Sequence, residues 1–405
     1  MDIGLEGGFT VHRKSIGKHN LDWIKSSNNK DWVTVSPTSF ETIFANDIIP
    51  EAQVVWGGYF KGREHLFHLE SIINLAKRHR SGERIFPKGV DIITGGFPCQ
   101  DFSVAGLRKG FNSHKSHTGK IREDAEATAE NRGLLYYWMR EVIDIVRPKM
   151  FIAENVKGLI SLGDAKDVIQ RDFASTGGDG YIVLSPRVLH AAEYGVPQRR
   201  ERVFFIGFRK SALRKDVARA YESGDVPDNL SPFPIKSHIF APSEAELANM
   251  NGHLVNVTTG DVFADLREPD DESNDPAQRA FSKAKWMGRH CQGQNEIKLD
   301  SVGPTIRSEH HGNIEFRRLS AERGGIIERE LKRGLPERRL TVRECARIQT
   351  FPDSMRFVGP INVADRQASV SASVAYKLIG NAVPPFLAYN LARKIESIWA
   401  DVFRN

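Results

Sequence analysis

The stretch that most constrains this chain is Val90-Asp91-Ile92-Ile93 followed by Thr94-Gly95-Gly96-Phe97-Pro98-Cys99-Gln100-Asp101-Phe102-Ser103. The β-branched run has the character of a buried parallel strand. The glycines end it and Phe97-Pro98 turns the chain sharply, so Cys99 falls just past a strand's carboxyl end. Open α/β sheets place their ligands there. A thiol at that point reads as a nucleophile or as a small buried hydrophobe, the usual fate of a free cysteine. One cysteine alone does not decide between them.

At 405 residues the chain has room for two domains, and 40% hydrophobic with 27% charged residues is an ordinary globular composition. Its three cysteines, Cys99, Cys291 and Cys345, are too few and too scattered for a disulfide framework or a zinc site, which points to a reducing cytoplasm. No apolar run approaches the ~18 residues of a membrane span. Met1-Asp2-Ile3-Gly4 lacks the basic and apolar regions of a secretory signal. The net charge of +6 leans toward a polyanionic partner, because Lys and Arg neutralising phosphates supply most non-specific nucleic-acid affinity.

Gly4-Leu5-Glu6-Gly7-Gly8-Phe9 followed by Thr10-Val11 reads as a helix end, a glycine stop and a turn into a strand. Phe44-Ala45-Asn46-Asp47 reads as a strand ending on an acid, which is either a ribose-binding carboxylate of a nucleotide-type fold or a solvated turn residue. Val104–Arg122 is a glycine-punctuated segment carrying Arg108, Lys109, Lys115, Lys120 and Arg122, with no hydrophobic period. Long loops of this kind inside domains are usually lids or binding loops. Its His114 and His117 have no partners at metal spacing and read as polar loop residues.

Leu134, Leu135, Trp138, Val142 and Ile145 form one face of a helix over 133–146, stopped at Arg147-Pro148. Met150-Phe151-Ile152-Ala153 is a strand running into Glu154-Asn155-Val156, where Glu154 is a site carboxylate or a cap for the next helix. Gln198-Arg199-Arg200-Glu201-Arg202 feeds a strand at Val203-Phe204-Phe205-Ile206. Alternation puts Arg200 and Arg202 on one side of it, which is costly unless they meet an anion or a carboxylate. From about Ser211 to Arg338 the alternation of strand and helix fades into an irregular module, which includes the polar stretch Pro304–Asn313. Thr341 and Glu344 fit a capping box for a helix ended by Phe351-Pro352-Asp353. Gly380-Asn381-Ala382-Val383-Pro384-Pro385 precedes an amphipathic helix from about Phe386 to Val402.

In this order, Gly-Phe-Pro-Cys-Gln, Glu-Asn-Val, Gln-x-Arg-x-Arg, the Arg339–Pro352 run and Gly-Asn-Ala-Val-Pro-Pro resemble the DNA (cytosine-5) methyltransferases, most closely those of bacterial type II restriction-modification systems. The resemblance spans nearly the whole chain outside the irregular module. It implies a Rossmann-like α/β sheet that binds S-adenosylmethionine, formed by residues 1–210 and completed by 371–405, with a smaller irregular target-recognition domain over 211–370. It implies Cys99 as the nucleophile on carbon 6 of cytosine. Glu154 would bond ring nitrogen 3 and the exocyclic amine, and Arg200 and Arg202 would hold the base and the cysteine's surroundings. It places Asp47 on the ribose, Glu70 near the adenine amine, and Pro98 and Asn381 around the donor, with no metal. Gln100, Ser103, Arg108 and Gln198 would contact DNA, with the target base flipped out of the duplex. The partners implied are double-stranded DNA and, functionally, a restriction endonuclease, for a monomer in the bacterial cytoplasm.

One family feature has no counterpart. Met1–Phe9 matches only the residues next after the first motif, Asp-Leu-Phe-x-Gly-x-Gly-Gly. A start placed after that glycine turn is the expectation, with a shortened, inactive relative as the alternative. Loss of the central strand would leave neighbouring edges unpaired and weaken donor binding.

Overall fold

The computed structural model describes residues 1–97, 135–162, 164–240, 254–269, 273–308, 314–359 and 370–404. Pro98, Cys99, Gln100, Ser103, Arg108, His114 and His117 lie outside them. No helix among the described residues is long and apolar enough to cross a membrane.

The chain opens with helix α1 (Asp2–Glu6), whose Ile3 and Gly4 are buried. Gly7 ends it at φ 71°, the left-handed region that glycine enters without strain. This is the glycine stop expected, followed by β1 (Thr10–His12), β2 (Ile24–Ser27) and β3 (Trp32–Val35), an antiparallel trio ordered β1-β3-β2. Strand β4 (Ala45–Asp47) then runs parallel to β5 (Phe67–Leu69), with helix α2 (Pro50–Tyr59) between them. Helix α3 (Ile72–Arg80) leads to β6 (Ile92–Gly96).

Helix α4 (Leu135–Val146) and β7 (Met150–Val156) come next, and β6 pairs with β7 in parallel, Gly96 opposite Glu154. Met150, Phe151, Ile152 and Ala153 have no exposed surface, which explains why β7 reads as an unbroken apolar run: both its faces are covered. Helix α5 (Ala165–Ala174), β8 (Tyr181–Val183) and β9 (Arg187–His190) precede β10 (Glu201–Arg209), which is antiparallel to β7, β8 and β9. The order is β6-β7-β10-β8, making a mixed α/β sheet. Alternate residues part to opposite faces: Met150, Ile152, Phe204 and Ile206 join one apolar cluster, and Phe151, Ala153, Val203 and Phe205 the other.

Ala45 and Ile92 share one cluster, and Phe44 and Ile93 another. Among the described residues, however, β4-β5 and the β6 sheet are separate hydrogen-bonded units.

Residues 211–223 pack on the sheet and the chain's end. Helix α6 (Lys215–Ser223) lays Tyr221 against Phe208 of β10, and Arg214 and Arg404 exchange backbone hydrogen bonds with Val402 and Ala212, each at 3.0 Å. The apolar cluster continues into the irregular module through Val257, Ile306, Leu340 and Ile348, so the two parts share one core. There β11 (Phe316–Arg318) pairs with β12 (Arg338–Arg339). Helix α7 (Val342–Ile348) carries the expected capping box: the Thr341 side chain accepts from the Glu344 amide and Glu344 from the Thr341 amide. Helix α8 (Ala372–Asn381) and the long helix α9 (Pro385–Val402) end the chain, α9 packing against α1.

Candidate active site

Glu154 lies near the carboxyl end of β7, 9% exposed, and its Oε1 takes the Arg202 Nε at 2.8 Å. β10 brings this partner: Arg202 is in register with Val156 and Phe204 with Glu154. A carboxylate this enclosed needs a charged partner to offset desolvation. Gly96 matters on the neighbouring strand, because a Cβ there would stand 3.1 Å from Glu154 Oε2. The next residue, Asn155, is 1% exposed and donates from Nδ2 to the Phe97 carbonyl at 3.2 Å, while its Oδ1 accepts from the Val156 amide at 2.8 Å. Asn155 thus fixes the chain two residues before Cys99.

A second group forms where β4 and β5 end. Asp47 is opposite Leu69 in register, and Glu70 is the residue after Leu69. Asn46 Nδ2 holds the His68 and Glu70 carbonyls, each at 2.8 Å. Asp47 Oδ1 accepts from the Ile48 and Ile49 amides at 2.7 and 3.1 Å. Burial pushes the Asp47 carboxyl up from its ordinary value, opposed by those amides and by the charge of Lys377 on α8. Lys377 lies on α8, which ends at the exposed Asn381. Ile48 and Leu69 are exposed apolar residues on either side of the strand ends. Carboxylates beside an apolar shelf suit a nucleoside, with its polar diol and flat ring. Glu70 is also engaged by Arg78 at 2.7 Å.

Arg200 and Gln198 are both enclosed. Arg200 has no exposed surface and donates to the carbonyls of Ile306 (3.1 Å), Gly380 (2.7 Å) and Ala382 (2.9 Å). These main-chain carbonyls tie β10, the module and the Asn381 turn together. Gln198, expected on DNA, is likewise fully enclosed; its Nε2 donates to Gln349 Oε1 at 2.5 Å and Gln349 donates to Ala382 O at 2.6 Å. So enclosed, it presents no atom to a duplex. The backbone of Gln198 also forms a parallel bridge with Gly303.

Asn155, Asn46 and Gln349 received no role from the sequence. Asn155 and Gln349 stood inside the motifs quoted above, but nothing local reveals which distant carbonyl or amide a buried amide side chain will meet.

The profile of the C-5 cytosine-specific DNA methylases matches residues 32–397. The type II methyltransferase M.FnuDI of Fusobacterium nucleatum is 29% identical over 371 residues, covering 89% of this chain and 90% of that protein. M.NgoPII of Neisseria gonorrhoeae is 30% identical over 321 residues, covering 78% and 79%. In fold, the chain is similar to the Entamoeba histolytica methyltransferase EhMeth, with TM-score 0.52 and 12% identity over 88% of this chain and 89% of that one. With a matching profile over most of its length and a carboxylate–arginine pair at the end of its central strand, this chain belongs to the C-5 cytosine-specific DNA methylases, S-adenosylmethionine-dependent enzymes of type II restriction-modification.

Proposed function

We propose that the protein methylates carbon 5 of cytosine in a specific duplex sequence through a covalent Cys99 adduct on a flipped-out base, protecting DNA from a cognate endonuclease. The observation that carries this reading is the enclosed Glu154–Arg202 pair, next to Asn155, which holds the carbonyl of Phe97, two residues before Cys99 in sequence.

The Cys99 thiolate adds to carbon 6, and the electron pair displaced into the ring makes carbon 5 nucleophilic. Glu154 bonds nitrogen 3 and the exocyclic amine, offsetting charge on the ring, while Arg202 keeps that carboxyl group aimed. After methylation, loss of the carbon 5 proton and departure of the thiolate restore the 5,6 double bond. S-adenosylmethionine supplies the electrophilic methyl group when bound. Asp47 fits its ribose hydroxyls through Oδ2, since Oδ1 is engaged by two amides. Ile48 and Leu69 fit its adenine, and Glu70 and Asn381 line the same corner. Pro98 belongs to the donor side and Gln100, Ser103 and Arg108 to the DNA side. The division of labour is a sheet domain that does the chemistry and a module, beginning after α6, that reads the bases.

The test is duplex DNA carrying 5-fluorocytosine in many contexts with S-adenosylmethionine. Fluorine blocks the final elimination, so a covalent complex accumulates, is abolished in Cys99→Ser, and reveals the sequence read. Absence of any complex, with DNA binding retained, would favour a catalytically silent DNA-binding relative instead.

A further inference from the structure

The irregular module carries arginines of two kinds. Arg317, Arg318, Arg338, Arg343 and Arg347 are buried and spent on Glu330, Glu268, Glu344, Asp275, Asp265 and Asp353. Despite their number they are internal struts. The segment over 281–289 is different. Lys283, Lys285, Met287 and Arg289 are exposed, while Ala284 and Trp286 between them are turned in. Alternation of this kind marks a chain laid along a surface. Its cations Lys283, Lys285 and Arg289 pair with no carboxylate among the described residues.

The segment is nonetheless held firmly. Arg339, 1% exposed, donates to the carbonyls of Ala284 (2.7 Å), Lys285 (3.1 Å), Gly293 (2.7 Å) and Ile314 (2.5 Å). The Met287 amide donates to Gln294 Oε1 at 2.8 Å and Trp286 Nε1 to the Gln294 carbonyl at 3.1 Å. Lys283 Nζ stands 3.5 Å above the Phe281 ring. Beside the lysines opens a cleft of about 460 Å³, walled by Phe281, Phe316 and Pro336. The acids that also line it, Glu268 and Glu337, are already neutralised by Arg338, Arg318 and Arg323.

We infer that Lys283, Lys285 and Arg289 form a phosphate-contacting strip that seats the module on the DNA backbone, held in place by Arg339. Ordering long side chains costs entropy at binding, and a strip whose backbone is pinned beforehand lowers that cost. Contacts to phosphate position a protein without reading sequence. The inference rests on the function proposed above.

The experiment is duplex binding by the full chain across a salt series, for wild type, Lys283→Gln/Lys285→Gln, the triple variant adding Arg289→Gln, and Lys283→Arg/Lys285→Arg. Each lost phosphate contact lowers the slope of log K against log salt by about 0.9. The double glutamine variant therefore loses about 1.8 of slope and the triple about 2.7. The loss is equal on target and unrelated duplexes, with thermal midpoint and S-adenosylmethionine affinity unchanged, and the double arginine variant keeps the wild-type slope. A wild-type slope in the triple variant overturns the strip. 5-Fluorocytosine trapping by wild type, run alongside, separates the two failures: trapping with unchanged slopes sinks the strip alone, and no duplex binding by wild type sinks both.

Discussion

Asn155 holds the Phe97 carbonyl at 3.2 Å from the strand next to it, two residues before Cys99 in sequence. Asn155→Ala removes one buried hydrogen bond, worth about 1 kcal/mol of stability. Its larger effect falls on turnover, because displacing a reacting group by about 1 Å costs on the order of 100-fold. The expected result is kcat down by about 10- to 100-fold with little change in the affinity for S-adenosylmethionine. Equal losses in donor affinity and kcat would instead mean general loosening.

Glu154 and Arg202 form an enclosed pair at 2.8 Å, so removing either leaves a charge unmatched. Glu154→Ala or Arg202→Met alone should destabilise by about 3–5 kcal/mol, and the double variant by less than their sum. Glu154→Gln keeps an acceptor for Arg202 yet cannot supply a proton or a full charge to the base, so turnover falls by about 10²–10⁴-fold. Urea unfolding and single-turnover methylation measure the two effects separately.

The need for a partner beside Arg202 was legible in the sequence, although which carboxylate would meet it was not. Basic side chains entering a buried strand require an anion, and Glu154 stood at the end of another strand. The α1 stop at Gly7, the apolar run of β7 and the Thr341–Glu344 capping box were equally local, each readable from a few neighbouring residues. Arg200 and Gln198 were not. Their partners at Ile306, Gln349, Gly380 and Ala382 lie more than 100 residues away, and a carbonyl leaves no trace in side-chain identity. The packing of residues 211–223 was hidden for a related reason: Tyr221 and Leu213 look like residues of an irregular segment until the sheet and the last helix bury them.

Arg200 joins three chain segments through neutral carbonyls, and no shorter cation spans all three. Arg200→Lys should therefore lose most of what Arg200→Met loses, about 3 kcal/mol or more from unsatisfied buried groups. Because Gly380 and Ala382 flank Asn381, donor affinity should fall in Arg200→Lys even at temperatures where the variant is fully folded. Isothermal titration with S-adenosylmethionine below the unfolding transition measures this.

Asp47 sets a conflict between stability and binding. Burial raises its carboxyl pKa above the ordinary value, so the ionised form is less favourable in the folded chain than in the unfolded one. Its contribution favours folding more as pH falls through the raised pKa, and opposes folding at neutral pH. Asp47→Asn should therefore raise unfolding stability modestly at pH 7, since an amide oxygen still accepts from Ile48 and Ile49. The same change should weaken S-adenosylmethionine binding. Wild-type donor affinity should begin to fall with acidification at a pH above the ordinary aspartate range.

Glu268 reports on the module in the opposite direction. It pairs with Arg338 at 2.9 Å and Arg318 at 3.0 Å, and these guanidinium groups hold its carboxyl down at about 2 against an ordinary 4.5. A depressed folded pKa gives stability that is complete above the unfolded value and disappears as pH falls from about 4.5 toward 2. Glu268→Gln removes that contribution and leaves Arg318 with Glu330 and Arg338 with Glu344. The variant should be less stable than wild type at pH 7, and the difference should shrink steadily below pH 4.5 until the two converge near pH 2. Urea midpoints at a series of pH values check this. A constant difference across that range would mean that Glu268 acts through packing and hydrogen bonding instead of charge.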